Sequence, residues 1–186
     1  TYAAATQPNV PLKLRRLVPY TPSDHLIIDE TTRAHLELVR TLSGEKRGSL
    51  LDLIDKTVTP MGGRLLRSWI LLPLTDPRQI SRRLDAVELL RDAASIRDAL
   101  RTELARVSDV ERLLSRCSMG VATPRDLGLL RNSLQSLPNL EAVLAEARAS
   151  TMLDTADVLG GSIVDCSELH EKLDLALVEE PPSNTR

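Results

Sequence analysis

Apolar residues recur at helical spacing through most of the chain, with charged residues between them. This periodicity is typical of helices that bury one face. The apolar positions predicted to face inward are Met61, Leu65 and Trp69; Ile80, Leu84, Val87 and Leu90; Ile96, Leu100 and Leu104; Val110, Leu113, Leu114 and Cys117; and Leu127, Leu130, Leu134 and Leu137. Apart from a short extended segment at Leu26–Ile28, no useful strand alternation occurs. The pattern predicts an all-α, bundle-like body of about seven to nine helices.

Helix starts are marked by residues that cap free backbone N–H groups. Three starts pair a cap with a proline at the first helical position: Thr59-Pro60, Asp76-Pro77 and Thr123-Pro124. Ser49 predicts a short helix, and Ser108 with Glu111 matches a capping box. Asp29 predicts a helix that runs to about Leu42. These signals divide the stripes into separate short helices.

Proline density predicts the organisation at the two ends of the chain. Residues 1–25 contain four prolines and are expected to form an extended arm that joins the body to a preceding domain. Residues 26–178 form the helical body, whose last helix is capped by Ser167 or Asp165. Residues 179–186, with Pro181-Pro182, are predicted to be a flexible tail.

Two adjacent glycines, Gly62 and Gly63, lie in the first turn of the helix that Pro73 ends. Each glycine costs roughly 1 kcal/mol of helix stability relative to alanine, so a close approach to the backbone is expected there. The approaching group is either a neighbouring helix of the same body or another domain that docks on this face. We favour the neighbouring helix.

Composition supports a helical core and argues against a strongly cationic nucleic-acid clamp. Hydrophobic residues make up 42%, aromatic residues only 2% with no Phe, and the net charge is −2. From residue 131 onward the chain has 4 basic and 10 acidic residues, which would repel a duplex. Cys117 and Cys166 match no metal spacing and predict reduced thiols in a cytoplasmic protein. No apolar run reaches the roughly 18 residues of a membrane span, and no signal peptide is recognised.

Candidate catalytic groups are scarce. The segment Gly44–Ser49 lacks the spacing of a phosphate-binding loop, and the three histidines are isolated. The basic side chains that are candidates for DNA contacts are Lys13, Arg15, Arg16, Arg64, Arg67, Arg82 and Arg83. They form no continuous stripe and have no interleaved aromatics, so solvated or interdomain roles are favoured. The chain is not expected to be an enzyme or to hold a metal or cofactor itself.

Five motifs in the same order resemble those of the MutS family of DNA mismatch-repair ATPases. The longest is the run Thr57-Val-Thr-Pro-Met-Gly-Gly-Arg-Leu-Leu-Arg followed by Trp69 and Pro73-Leu74. The other four are Asp29–Leu38, Leu84–Val87, Val110–Arg116 and Thr123–Leu127. The resemblance spans about residues 26–144. It identifies the first part of the family's helical core, or lever, domain (domain III), as a fragment that lacks the clamp.

The resemblance implies that this body couples an ATPase domain to the mismatch-reading and clamp domains of a longer protein. That protein is expected to be a homodimer that uses ATP and Mg²⁺ and meets mismatched duplex DNA and MutL. The motif residues are Thr59, Pro60, Met61, Leu65, Trp69 and Pro73. Gly62, Gly63 and Arg64 are the candidate contacts with the ATPase domain. The alternative is a free-standing helical scaffold for protein–protein interactions.

Overall fold

The computed structural model describes residues 25–149 and 162–183, and within them it contains nine helices. They are α1 (Glu30–His35), α2 (Leu50–Ile54), α3 (Pro60–Leu71), α4 (Pro77–Asp92), α5 (Ala94–Leu104), α6 (Val110–Ser118), α7 (Pro124–Gln135), α8 (Leu137–Ala149) and α9 (Ser167–Ala176). The strand-like pairing found in these residues is one bridge, between His25 and Leu74. The all-α prediction is confirmed. The expected arm, apart from His25, lies outside the described residues.

The predicted cap-and-proline starts are confirmed. Thr59 and Asp76 each accept a hydrogen bond from an N–H in the first turn of α3 and α4. Thr123 forms a reciprocal capping box with Asp126 at the start of α7. Ser49 caps α2 as expected. In each case a side-chain oxygen satisfies a donor that has no partner within the helix.

The first helix is shorter than predicted. It ends at His35, because Glu37 adopts a left-handed backbone conformation with φ +48°. The Glu37 carboxylate then accepts a hydrogen bond from the Leu42 N–H at 2.6 Å, and Arg40 donates to the Gly44 carbonyl. Glu37 and Arg40 lie three positions apart, as in a helical ion pair, but each makes a contact that closes a loop instead.

The start of α6 also differs from the prediction. Asp109, rather than Ser108, caps the helix by accepting from the Arg112 N–H. The Ser108 N–H instead donates to the hydroxyl of Ser133, which is fully buried. Glu111 points away from the cap and binds a side chain on α3. At α9 the capping residue is Cys166, although Asp165 accepts from the Ser167 N–H.

The buried core consists of two clusters of aliphatic residues. In the first, α5 packs against α8 through Ile96, Leu100, Leu140 and Ala147. In the second, α7 packs against α6 and α9 through Leu113, Leu130 and Leu134, with Leu173 beside them. None of the described helices is both long and apolar enough to cross a membrane.

The inward face predicted for α4 is largely wrong. Ile80, Leu84 and Val87 are 39%, 61% and 63% exposed, and Ala86 is the buried residue of this helix. Leu90 alone among the predicted four packs against the first core cluster. Helical periodicity identified the apolar face correctly, but it carries no information on whether another element covers that face.

The chain beyond α9 packs on α7 instead of fraying. Arg131 is 9% exposed and donates to the carbonyls of Val178 and Glu179 at 3.2 and 2.8 Å. The ring of Pro181 lies over Gly128, where an added Cβ would meet it at 3.0 Å. Residues 178–183 therefore form a C-terminal strap across α7. Residues 150–161 and 184–186 lie outside the described residues.

Candidate interdomain contact site

The motif residues build helix α3 and fix its ends. Thr59 accepts from the Gly62 N–H at 3.0 Å, and Pro60 occupies the first helical position. At the other end Pro73 follows the capping residue Leu72, and the Pro73 carbonyl accepts from the Leu26 N–H at 2.8 Å. The proline ring prevents the helix from continuing. The start of α3 is thus set by adjacent residues, and its end is set by Pro73 together with the backbone of Leu26.

The space beside Gly62 and Gly63 is filled by the segment that leads into the helix. A Cβ added at Gly62 would lie 3.0 Å from the Thr59 hydroxyl and 3.5 Å from Cβ of Thr57. One added at Gly63 would lie 3.3 Å from the Thr57 hydroxyl and 3.7 Å from the Asp55 carboxylate. The close approach therefore comes from residues 55–59, not from a neighbouring helix as favoured above. The two glycines allow this entry segment to fold back on α3.

Arg64 joins α3 to α6 through a two-carboxylate bridge. Its guanidinium donates to both oxygens of Asp109, at 2.7 and 2.8 Å, and to Glu111 at 2.5 Å. Planar guanidinium groups favour such two-point contacts with carboxylates. Asp109 is 15% exposed and Glu111 is 69% exposed, so the inner half of the bridge is the more sheltered one.

The bridge changes the proton affinities of its members. The hydrogen bonds from Arg64, followed by that from the Arg112 N–H, outweigh burial and lower the pKa of Asp109. The same contacts, with Asp109 first and Glu111 second, raise the pKa of Arg64. Nearby, hydrogen bonds from Thr57 lower the pKa of Asp55. All three groups therefore carry their charges at neutral pH.

The outer face of α3 is apolar and open. Leu65 is 52% exposed and Trp69 is 40% exposed. The guanidinium of Arg83 on α4 lies 3.7 Å from the centre of the Trp69 ring, and partial burial lowers the pKa of Arg83. This cation–π contact covers part of the indole and joins α3 to α4. The stripe predicted to be buried is instead a surface.

An apolar groove runs beside the bridge, between α3 and the end of α6. It has a volume of about 620 Å³ and is lined mainly by Met61, Val110, Leu114 and Met119. Leu114 and Met119 are 42% and 56% exposed, although Leu114 was predicted to be buried. An open groove with methionine and leucine walls is suited to a protein side chain rather than to a charged metabolite.

Several site residues escaped the sequence patterns because they are distant in the chain. The local pair of Asp109 and Arg112, three positions apart in the chain, is present at 3.4 Å. The stronger partner of Asp109, however, is Arg64, which lies 45 positions away. Spacing along one helix predicts a pair three positions apart, but it does not predict a pair between distant segments such as that of Arg64 with Asp109. Among the described residues, no group of three or more metal-ligating side chains is brought together.

These features define a class of protein module: a helical core domain whose charged side chains tie helices together and whose α3–α4 face is open for contacts. The model of the MutS domain III family matches residues 31–186. The chain belongs to this family, as its motifs indicated.

Relatives are similar over most or all of the chain. The DNA mismatch repair protein MutS of Anaeromyxobacter sp. (strain K) is 46% identical over 186 residues, covering 100% of this chain and 21% of that protein. The MutS of Sorangium cellulosum is 41% identical, covering 100% of this chain and 23% of its own length. That of Roseiflexus sp. is 45% identical over 78% of this chain and 14% of its own length. The chain spans about a fifth of the length of the first two.

Proposed function

We propose that this chain is the non-catalytic helical core of a MutS-type mismatch-repair protein and acts as a lever. It would couple an ATPase domain, which binds ATP and Mg²⁺, to domains that read mismatches and clamp DNA. The partners of the longer protein would be mismatched duplex DNA, MutL and a second copy of itself. The names of the relatives and the five motifs support this proposal.

The observation that carries the proposal is the set of arginine ties between segments distant in sequence. Arg64 joins α3 to α6. Arg101 on α5 donates to the Lys56 carbonyl at 2.8 Å, and Arg131 holds the C-terminal strap. Close-packed helices with such ties shift as bodies instead of deforming continuously. A displacement at α3 would therefore reach α6 and the elements packed on it.

The proposed contact with the ATPase domain consists of Gly62, Gly63 and Arg64. The packing of residues 55–59 against α3 already explains why Gly62 and Gly63 are glycines. The two glycines therefore give only weak support to an interdomain contact. Arg64 gives stronger support, because its side chain remains 38% exposed beside the groove of Met61 and Met119. A partner that touches Arg64 would act directly on the bridge to α6.

The test uses the intact longer protein with Arg64→Gln, which removes the bridge without reversing its charge. We expect the mismatch-dependent change in ATP turnover to fall by roughly fivefold or more, the scale of a typical coupling energy. ATP turnover is measured with matched and mismatched duplexes.

Arg116→Gln is the matched control. Arg116 is 47% exposed and binds Asp126 at 3.0 Å, so this variant also loses an ion pair, but away from α3. Its coupling should remain close to that of the unmodified protein. If Arg64→Gln leaves both ATP turnover and its dependence on mismatches unchanged, the contact assignment is wrong.

A further inference from the structure

A basic pocket lies between α3, α6 and the loop that follows α1. It has a volume of about 400 Å³. Its charged lining consists of Arg40, Lys46, Arg64, Arg67 and Arg112, with Asp55 as the one carboxylate. These residues come from three separate parts of the chain. Their convergence is therefore a product of the fold that no local sequence pattern reveals.

The five cations differ in how far their charges are compensated. Arg64 and Arg112 share the carboxylate of Asp109, and Arg64 also binds Glu111. Arg40 donates to the backbone carbonyl of Gly44, which leaves its charge uncompensated. In the part of the chain that the structure describes, no carboxylate lies within ion-pair distance of Arg40, Lys46 or Arg67.

The single carboxylate of the lining is already engaged. Asp55 accepts from the Thr57 hydroxyl at 2.7 Å and from the Thr57 N–H at 3.1 Å. Lys46 contributes to lowering its pKa only through space. The five cations are thus balanced by only three carboxylates, those of Asp55, Asp109 and Glu111. This leaves an excess of two positive charges around one concavity. A concave surface concentrates such a field and attracts anions.

We propose that this pocket receives an acidic protein segment that presents two carboxylates beside an apolar side chain. The uncompensated cations would pair with the carboxylates, and Val39, Leu51 and Pro60, which also line the pocket, would contact the apolar side chain. The proposal deepens the interdomain contact, since Gly63 and Arg64 line the same pocket, and it rests on that contact for the source of the segment.

The shape of the pocket favours a protein segment over a duplex. A duplex is held by basic groups that follow several successive phosphates along a groove. Here the cations surround one cavity of about 400 Å³ instead of following a line. The carboxylate of Asp55 in the lining, and those of Asp109 and Glu111 bound to Arg64, would also repel a phosphate backbone.

The test is photo-crosslinking in the intact longer protein. A benzophenone amino acid replaces Val39, which lines the pocket without contributing charge. After irradiation, mass spectrometry identifies the crosslinked peptide. We expect a peptide from outside this chain with at least two Asp or Glu residues near the crosslink. The yield should fall as ionic strength rises, because side chains at a surface are screened by salt.

Charge reversal checks the role of the cations. Arg67→Glu should lower the crosslink yield by roughly fivefold, whereas Arg78→Glu, at an exposed arginine on α4 outside the pocket, should not change it. Replacing the mapped acidic residues by Lys should restore the yield in the Arg67→Glu protein. A crosslink to DNA, to a segment without acidic residues, or to no partner would overturn the proposal.

This experiment and the ATP-turnover test fail independently. A crosslink to an acidic segment combined with unchanged ATP turnover in Arg64→Gln would support the proposed ligand of the pocket. It would rule out the proposed coupling through Arg64. Loss of coupling in Arg64→Gln combined with a crosslink to a non-acidic segment would support coupling through Arg64. It would rule out an acidic segment as the ligand of the pocket.

Discussion

Two regions of this domain use the same kind of helix in different ways. The packed half, α5–α9, buries Ile96, Leu100, Leu130 and Leu140 in contacts between its own helices. The open half, α3 and α4, has Ala86 as its buried hydrophobic residue. Side-chain caps begin α3 and α4 in the open half and α6 and α7 in the packed half, whereas α5 and α9 begin without one. Both regions carry amphipathic stripes, so the two halves differ in burial more than in local structure.

The difference lies in what covers the apolar faces. An amphipathic helix gains most of its stability when its apolar face is covered. In the packed half this cover is intramolecular. In the open half the stripe of Leu65 and Trp69 stays exposed, while the groove and the basic pocket lie on the side of α3 that faces α6. We propose that α3 therefore carries the contact with another domain.

The largest predicted effect concerns the core of the packed half. Leu130 is 4% exposed, and Leu130→Ala should lower the free energy of unfolding by about 2–5 kcal/mol, because it removes buried methyl groups and leaves a cavity. Chemical denaturation followed by far-UV circular dichroism measures this change.

The matched substitution in the open half is Leu84→Ala. Leu84 is 61% exposed, so the same truncation should change the free energy of unfolding by less than about 0.5 kcal/mol. Equal costs for the two variants would show that α4 is covered in solution. Equal costs would therefore contradict the distinction between a packed half and an open half.

The next effect concerns the C-terminal strap. Arg131→Ala leaves the carbonyls of Val178 and Glu179 without their donor, and it also removes an ion pair with Asp174 at 3.5 Å. It should lower the free energy of unfolding by about 1–3 kcal/mol. It should also expose residues 178–183 to proteolysis, which mass spectrometry of the cleaved chain detects.

Arg125→Ala separates the side-chain tie from general effects of removing a basic residue. The contact of Arg125 with the strap is made by its backbone N–H, which donates to the Pro182 carbonyl at 3.2 Å. This bond survives truncation of the side chain, so protection of the strap should persist. Loss of protection in both variants would show that Arg131 does not hold the strap specifically.

Much of the fold could be predicted from sequence because caps and prolines act on adjacent residues. Thr59, Asp76 and Thr123 mark their helices correctly. The exposed state of Leu84 and the partner of Arg64 depend on which elements meet in space, which periodicity does not encode. The docked strap was missed for the same reason, since Pro181 ends a local pattern but packs on Gly128.

The candidate site was predictable as a segment but not as a geometry. The motif run located α3, yet it gave no indication that residues 55–59 fill the space beside Gly62 and Gly63. The bridge and the basic pocket combine residues from loops and helices up to about 70 positions apart. Long-range charge pairing of this kind becomes visible only when the helices are packed.

A smaller effect than those expected at Leu130 and Arg131 tests the bridge that joins the two halves. Asp109 has an ordinary pKa of 3.8, which the hydrogen bonds from Arg64 lower in the folded protein. A lowered folded-state pKa stabilises the protein fully above the unfolded value and progressively less as pH falls through the folded value. Because Arg64 is 38% exposed and screened by solvent, the contribution should be under about 1 kcal/mol.

Comparison of the unmodified protein with Asp109→Asn isolates this contribution, because the amide cannot titrate. The difference in unfolding free energy should be constant at neutral pH and shrink as the pH falls below about 4, near the ordinary pKa of aspartate. Asp98→Asn, at a side chain 73% exposed, provides the baseline for removing a surface carboxylate. A difference that did not depend on pH would mean that ionisation of Asp109 is not coupled to folding. The ion pair of Arg64 and Asp109 would then not stabilise the contact between the open half and the packed half.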